Sequence, residues 1–138
     1  MFVAGLILKG DEVLMLRRSQ AKSFGAGKWE PVSGGVLPHE SPLEALLREV
    51  FEETGLSVEV LGEEPFAVWM MPAPGGGEVE GQVFVCRHTG GEVAKSNEHD
   101  AVRWVRIAAA ADIRGLMPGL DTVLHELAAR FTEAAAAG

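Results

Sequence analysis

The sequence predicts an α/β fold in which a mixed β-sheet carries helices on both faces. Short apolar segments with strand character lie on both sides of an amphipathic helix near the middle of the chain, and a second helical segment lies near the end. This order is typical of layered α/β architectures. The 138 residues fit one domain with a substantial core, and the sequence shows no internal repeat and no linker. We therefore predict one α/β/α sandwich spanning residues 1–138.

The chain begins with a predicted β-hairpin. Residues 2–8 and 12–16 are apolar and flank a polar turn at residues 9–11, a pattern typical of two antiparallel strands. Residues 19–28 are polar and rich in glycine, which indicates a loop. Residues 29–33 then form a short extended segment that ends at a pair of glycines.

The central helix has clear start and end signals. Ser41 is suited to the N-cap, Pro42 to the first helical position and Glu44 to the third, which together form a capping box. Gly55 is suited to the C-cap. The elements predicted after it are strands at 57–61, 65–71, 81–87 and 101–105, a helical turn near 108–113, a helix from 121 to about 132, and a frayed end at 133–138.

Composition excludes several classes of function. The formal net charge of −8 opposes a nucleic-acid polymer as partner, because phosphate backbones require a basic surface. A small phosphorylated ligand is compatible, since a bound cation inverts the local field. No apolar run approaches the length of a membrane span, and the N-terminus lacks the features of a signal peptide. The single Cys86 suits a reducing compartment, so we predict a cytoplasmic location.

Three carboxylates share one face of the central helix. Glu49, Glu52 and Glu53 are neighbours at spacings of three and four, where like charges destabilise a helix, and they lie in the half where the helix dipole disfavours negative charge. A solvated acidic face offset by Arg48 is one explanation, and a divalent cation among the carboxylates is the other. The opposite face is predicted to pack on the sheet through Leu43, Leu47, Val50 and Thr54, with Leu46 and Phe51 at the flanks.

Residues 34–56 resemble the Nudix box, Gly-x5-Glu-x7-Arg-Glu-U-x-Glu-Glu-x-Gly-U with U apolar. Gly34, Glu40 and residues 48–56 fill every specified position. The resemblance implies the α/β/α Nudix fold and the hydrolysis of a nucleoside diphosphate linked to another group, with Mg²⁺ or Mn²⁺. The chemistry agrees, because Mg²⁺ takes a few carboxylates, keeps several waters and binds substrate phosphates.

The resemblance also assigns roles within the box. Glu49, Glu52 and Glu53 would be metal ligands, and one of them would act as base. Arg48 would orient a neighbouring carboxylate. Glu40 would brace the turn through backbone amides rather than take part in catalysis.

Two further contributions to the metal site are implied. Backbone carbonyls of Ser33 or Gly34 would approach a metal, because residues with little side chain permit close approach. In MutT-like members an acid in a loop comparable to residues 95–100 reaches the metal. Glu98 resembles that acid, and the resemblance implies that it is a fourth metal ligand or a base.

Four residues outside the box are candidates for substrate contact. Arg17 and Arg18, at the end of the second predicted strand, would contact phosphates. Phe24 and Trp29 would stack on a nucleobase, and the segment that contains Trp29 is similar to one that lines the pocket in MutT-like proteins.

The sequence leaves the substrate open. Our first hypothesis is cleavage of a nucleoside triphosphate to the monophosphate and pyrophosphate. A second keeps the chemistry and takes ADP-ribose, a nucleotide sugar or a dinucleoside polyphosphate as substrate. A third is a binding module that senses a nucleotide without turnover. All three imply a small nucleotide as partner, and the protein would be a monomer or a homodimer.

Overall fold

In the described residues, the fold comprises one mixed sheet of eight strands and three helices. The computed structural model describes residues 1–94 and 96–137, and the side chains of residues 1–94 and 96–131. In chain order the elements are β1 (Phe2–Lys9), β2 (Glu12–Arg18), β3 (Trp29–Glu30), β4 (Val32–Gly35), α1 (Pro42–Thr54), β5 (Ser57–Val60), β6 (Ala67–Pro72), β7 (Glu78–Gly90), β8 (His99–Arg106), α2 (Ile107–Ala110) and α3 (Leu120–Ala137).

Strand β1 is the centre of the sheet. It pairs in parallel with β7 and antiparallel with β2 and β4. The β1–β2 hairpin pairs beside its turn, at Leu8–Val13 and Lys9–Glu12. Farther from the turn β1 pairs with β4 and β2 with β3, and β8 pairs with β2 along its whole length. The predicted hairpin is therefore present but splayed. The splay admits β4 beside the N-terminal half of β1, and strands β5 and β6 pair with β7.

Both faces of the sheet are covered, which confirms the predicted fold class. Side chains alternate along β1 between two cores. Val3 and Ile7 join Leu46 of α1 in one core, and Leu6 joins Leu124 of α3 in the other. Strands buried on both faces in this way read as continuous apolar runs.

The packing face of α1 differs from the predicted one. Leu46 is fully buried, and its Cδ1 would lie 2.9 Å from a Cβ added to Gly5 of β1. Leu47, predicted to face the sheet, is 48% exposed, whereas Glu53, predicted to point away, is only 4% exposed. The prediction holds for Val50 and Thr54, which are buried, and for Leu43, which packs against the same core, and it is wrong for Leu47. The helix is instead rotated so that its acidic face meets the edge of β4.

Other boundaries differ by a few residues. β7 is longer than the predicted strand at 81–87, because polar residues at both ends continue the backbone pairing with β5 and β6. Helix α3 extends to Ala137, and the predicted frayed end includes Gly138, which lies outside the described residues. In the described part of the chain, no helix is long and apolar enough to span a membrane.

The predicted capping box at the start of α1 is present and gives a first test. The Glu44 amide donates to Ser41 Oγ at 3.1 Å, and the Ser41 amide donates to Glu44 Oε1 at 2.9 Å. We expect Ser41→Ala to lower the free energy of unfolding by about 1 kcal/mol, measured by urea denaturation. Ser23→Ala, at an exposed loop serine, is the control. An equal loss in both variants would contradict the capping role.

Candidate functional site

An acidic cavity of about 430 Å³ opens where α1, β4 and the loop before β8 meet. The splayed hairpin positions β4 at this edge, and the rotation of α1 turns its carboxylates toward β4. All six residues predicted as metal ligands contribute to the cavity. Its lining is Ser33, Gly34, Gly35, Glu49, Glu52, Glu53, Ser96 and Glu98.

Glu53 is the most perturbed acid of the cavity. The side chain is buried, and among the described residues its Oε1 has no hydrogen-bond partner. Burial raises the pKa of Glu53 to about 10, with further contributions from a hydrogen bond to Glu49 and from the charges of Glu49, Glu30 and Glu98. A buried carboxyl in this position is costly unless a partner compensates it. A cation would supply that partner.

Gly34 permits the close approach of α1 to β4. A Cβ added at residue 34 would overlap the carboxyl group of Glu49. The adjacent Gly35 has open space at the corresponding position. Glycine at residue 34 is therefore required for space, and it lets Glu49 lie against the backbone of β4.

Arg48 connects the carboxylates of α1 to the turn after β4. Its Nη1 donates to Glu49 Oε1 at 2.8 Å and to Glu52 Oε2 at 3.2 Å. Its Nη2 donates to the Gly35 carbonyl at 3.0 Å. The strongest contact is with Glu40, where Nε–Oε2 is 2.6 Å and Nη2–Oε1 is 2.9 Å. The hydrogen bonds to Glu40 and to Glu49 raise the pKa of the Arg48 guanidinium, and its contacts extend to three acids.

Glu40 braces the turn, as predicted. Its Oε1 accepts the Leu37 amide at 2.9 Å in addition to its ion pair with Arg48. The hydrogen bond from Arg48 and the one from the Leu37 amide lower the pKa of Glu40 to about 2. The group is ionised at neutral pH and holds the guanidinium in place.

The donors of the cavity fit a hard divalent cation. They are carboxylates and carbonyls, the oxygen ligands that Mg²⁺ takes, and one of them, Glu53 Oε1, has no partner among the described residues. No three His, Cys, Asp or Glu side chains converge as a closed ligand set in residues 1–94 and 96–131, and Arg48 holds Glu49 and Glu52 in ion pairs. An open arrangement suits Mg²⁺, which keeps several waters and binds substrate phosphates.

Glu98 approaches the cavity from the opposite wall. Its side chain is 60% exposed, with Oε1 at 3.5 Å from Lys22 Nζ. Its backbone is fixed on both sides: the amide donates to Ser96 Oγ at 3.3 Å, and the carbonyl accepts the Ser19 amide at 2.9 Å. The backbone is therefore positioned while the carboxylate remains accessible.

A second, more apolar cavity of about 320 Å³ adjoins the acidic one. The two share residues 33–35 and Glu98 as a common wall. Arg18 and Phe24, both predicted to contact substrate, lie in the second cavity. Its remaining lining residues are Phe2, Glu30, Met71, Pro72, Pro74 and Val79.

Arg17 and Trp29, the other two predicted substrate contacts, line neither cavity. Side chains alternate across a strand, so Arg17 faces away from the side that Arg18 occupies. Its Nε lies 2.6 Å from Asp100 Oδ1, and its guanidinium lies 5.7 Å from the centre of the Trp29 ring. The two residues form a cation–π contact that lies outside both cavities.

A buried polar pair lies beside the second cavity, and no sequence motif predicts it. Glu30 and His99 are 3% and 4% exposed, and His99 Nε2 lies 3.0 Å from Glu30 Oε2. In the sequence, the one indication of this pair is the acidic Glu30 beside apolar residues of a short strand. Pairing it with a histidine 69 residues away requires the fold.

Comparison with known proteins agrees with this geometry. A family model described as the NUDIX domain matches residues 2–127. The chain is 37% identical over 105 residues to a MutT-like protein of Streptomyces ambofaciens, covering 75% of this chain and 61% of that protein. It is 33% identical over 136 residues to the 8-oxo-dGDP phosphatase NUDT18 of Mus musculus, covering 91% of this chain and 37% of that protein. A crystal structure of a MutT protein from Methanosarcina mazei Go1 matches with a TM-score of 0.80 and 29% identity, covering 90% and 88% of the two chains.

Proposed function

The chain belongs to the NUDIX family, and we propose that it is a metal-dependent pyrophosphohydrolase that cleaves a nucleoside triphosphate to the monophosphate and pyrophosphate. The observation that carries this proposal is the adjacency of the two cavities. The acidic one suits phosphates with a divalent cation, and the more apolar one suits a base. A shared wall at residues 33–35 lets one nucleotide occupy both.

Glu49, Glu52 and Glu53, with carbonyls of residues 33 and 34, would hold Mg²⁺ or Mn²⁺. Such a cation, when bound, lowers the pKa of water and neutralises charge on the phosphates. In the hydrolysis a water oxygen bonds to phosphorus and a P–O bond of the anhydride breaks. Glu53 and Glu49 share a hydrogen bond, and we assign the acceptance of the water's proton to this pair. Glu98 faces them from the opposite wall as a fourth ligand or second base.

The apolar cavity is assigned to the nucleobase, with Phe24 as its aromatic wall. Loss of base stacking costs about 1–3 kcal/mol. We expect Phe24→Ala to raise KM about tenfold, or ~1.4 kcal/mol, and to change kcat less than about twofold, because Phe24 does not line the acidic cavity. Steady-state kinetics check this, and Phe51→Ala, at a phenylalanine that is 72% exposed on α1, is the matched control. A loss confined to kcat would contradict the assignment.

The substrate is tested by a panel ranked by kcat/KM with Mg²⁺. The panel contains nucleoside triphosphates, ADP-ribose, nucleotide sugars and dinucleoside polyphosphates. It also contains oxidised purine nucleoside di- and triphosphates, because one relative is named an 8-oxo-dGDP phosphatase. Release of pyrophosphate from a triphosphate supports the proposal. Preferential cleavage of ADP-ribose into two monophosphate products would replace it, and nucleotide binding without any product would indicate a non-catalytic module.

The net charge of the chain bears on its binding partner. We propose a small nucleotide rather than a nucleic-acid polymer as partner, because the net charge is −8. A cytoplasmic location and a monomeric or homodimeric state stay predictions, checked by fractionation and by light scattering.

A further inference from the structure

A chain of polar groups runs beneath the junction of the two cavities. At its centre, the carboxylate of Glu30 contacts Arg18 Nη1 at 3.2 Å through both oxygens and His99 Nε2 at 3.0 Å. On the other side of the imidazole, His99 Nδ1 lies 3.3 Å from Ser96 Oγ. Ser96 Oγ in turn accepts the amide of Glu98 at 3.3 Å. The contacts therefore connect a cavity-lining arginine to the backbone of Glu98.

Each group in this chain has a partner of the required kind. The Arg18 guanidinium donates to the Glu30 carboxylate, and the same carboxylate lies within hydrogen-bond distance of His99 Nε2. The Ser96 hydroxyl meets His99 Nδ1 and also accepts the Glu98 amide. Arg18 Nε completes the chain by donating to the Phe24 carbonyl at 3.1 Å.

An irregularity in the sheet brings the partners together. β2 and β8 pair with Arg18 opposite His99, and the register shifts between Arg17 and Arg18. A bulge of this kind re-aims side chains and is enriched near active sites. Here it coincides with the start of β8, directly after Glu98.

Burial of the charged and polar groups of this cluster costs desolvation free energy, so a contribution to stability alone does not account for the cluster. Side-chain exposure is 4% for Glu30 and 3% for His99, and buried ionic contacts are often no more stabilising than apolar side chains of similar volume. The cluster does contact residues 96–98, of which Ser96 lines the acidic cavity and Glu98 lines both cavities. On the basis of the proposed function, we propose that Glu30 and His99 are positioning residues that hold residues 96–98 against the acidic cavity.

Paired variants at residue 99 test the proposal. His99→Leu removes both ring nitrogens, and His99→Gln keeps an N–H donor for Glu30. We expect kcat to fall at least tenfold in the leucine variant and less than threefold in the glutamine variant, with KM within twofold in both. His88→Leu, at a histidine that bonds the Gly91 carbonyl and lines neither cavity, is the matched control. Equal losses in the leucine and glutamine variants would overturn the proposal.

A double-mutant cycle separates positioning from a general structural role. If His99 acts through Glu98, His99→Leu will cost less than twofold in kcat when Glu98→Gln is already present. A full tenfold cost in that background, or no effect of Glu98→Gln alone, would overturn the proposal.

A third measurement does not require turnover. Amide exchange followed by NMR is expected to be at least fivefold faster at Glu98 and His99 in His99→Leu than in the wild type, and unchanged at Ile7 in the sheet centre. Unchanged exchange at Glu98 would overturn the proposal even if no nucleotide of the panel is cleaved. Faster exchange without cleavage would support the positioning role and place the failure in the proposed function.

Discussion

Replacement of Glu53 by glutamine is expected to abolish most turnover and to stabilise the metal-free protein at the same time. Loss of a positioned proton-transfer group costs about 10²–10⁴-fold in kcat, and the amide also removes a negative charge from the cation site. We expect the fold to be retained, because glutamine has nearly the same shape as glutamate and fits the same buried position. Activity and stability therefore change in opposite directions at this position.

The stability gain follows from the pKa of Glu53. Burial and Glu49 raise this pKa to about 10, above the ordinary value of 4.5. Between these values the folded protein holds a proton that the unfolded chain releases, so the contribution of Glu53 to stability falls as the pH rises. A neutral glutamine is not subject to that loss. The advantage of the variant in metal-free buffer is expected to grow from pH 5 to pH 8.

Thermal denaturation with EDTA and with Mg²⁺ measures both effects. We expect the metal-free variant to exceed the wild type by about 3–5 °C at pH 8, which is roughly 1 kcal/mol for a domain of this size, and Mg²⁺ to reduce the difference by stabilising the wild type more. Glu52→Gln is the control, since that carboxylate is 55% exposed and should give no comparable gain. Near-wild-type turnover, or a lower midpoint in EDTA, would contradict the role of Glu53.

Gly34→Ala is expected to lower kcat/KM by about 10²-fold with little loss of stability. The added methyl group would occupy the position of the Glu49 carboxyl, and this carboxylate sits at the end of a flexible side chain that moves aside without unfolding the helix. Misplacement of a catalytic group by about 1 Å costs about 10²-fold. The reaction rate, rather than the melting temperature, should therefore report this substitution.

The neighbouring glycine provides a matched control for Gly34. A Cβ at Gly35 meets no atom within 4 Å, so Gly35→Ala should keep kcat/KM within about threefold. Kinetics at several Mg²⁺ concentrations separate the two effects, because displacement of Glu49 should also raise the Mg²⁺ concentration needed for half-maximal rate. Equal losses in the two alanine variants would show that β4 tolerates no side chain at all, and would contradict the specific role of Gly34.

The fold and the acidic site were predictable because their determinants are local. The capping residues, the apolar runs and the spacing of Glu49, Glu52 and Glu53 are properties of short segments. The structure accordingly contains the predicted central helix between its predicted caps, and the predicted metal ligands line one cavity.

The errors concern relations between distant segments. Whether Arg17 or Arg18 faces the cavity depends on which face of β2 lies toward it. The sequence does not tell the two faces apart, because β2 carries apolar residues on both. The rotation of α1 depends on the space at Gly34, which is why Leu47 was assigned to the wrong face. The contact of Glu30 with His99 depends on a register shift between β2 and β8, for which no single segment carries a signal.

The part of the common wall that β4 contributes, residues 33–35, is main chain with almost no side chain. Under the proposed function, the distance from the base to the scissile phosphate is then set by the backbone of β4 and does not depend on which side chains surround the base. Substitutions on the apolar side would change which nucleotide is accepted, while the bond that is cut stays the same. Within one small domain, substrate preference can therefore change without a change in the position of cleavage.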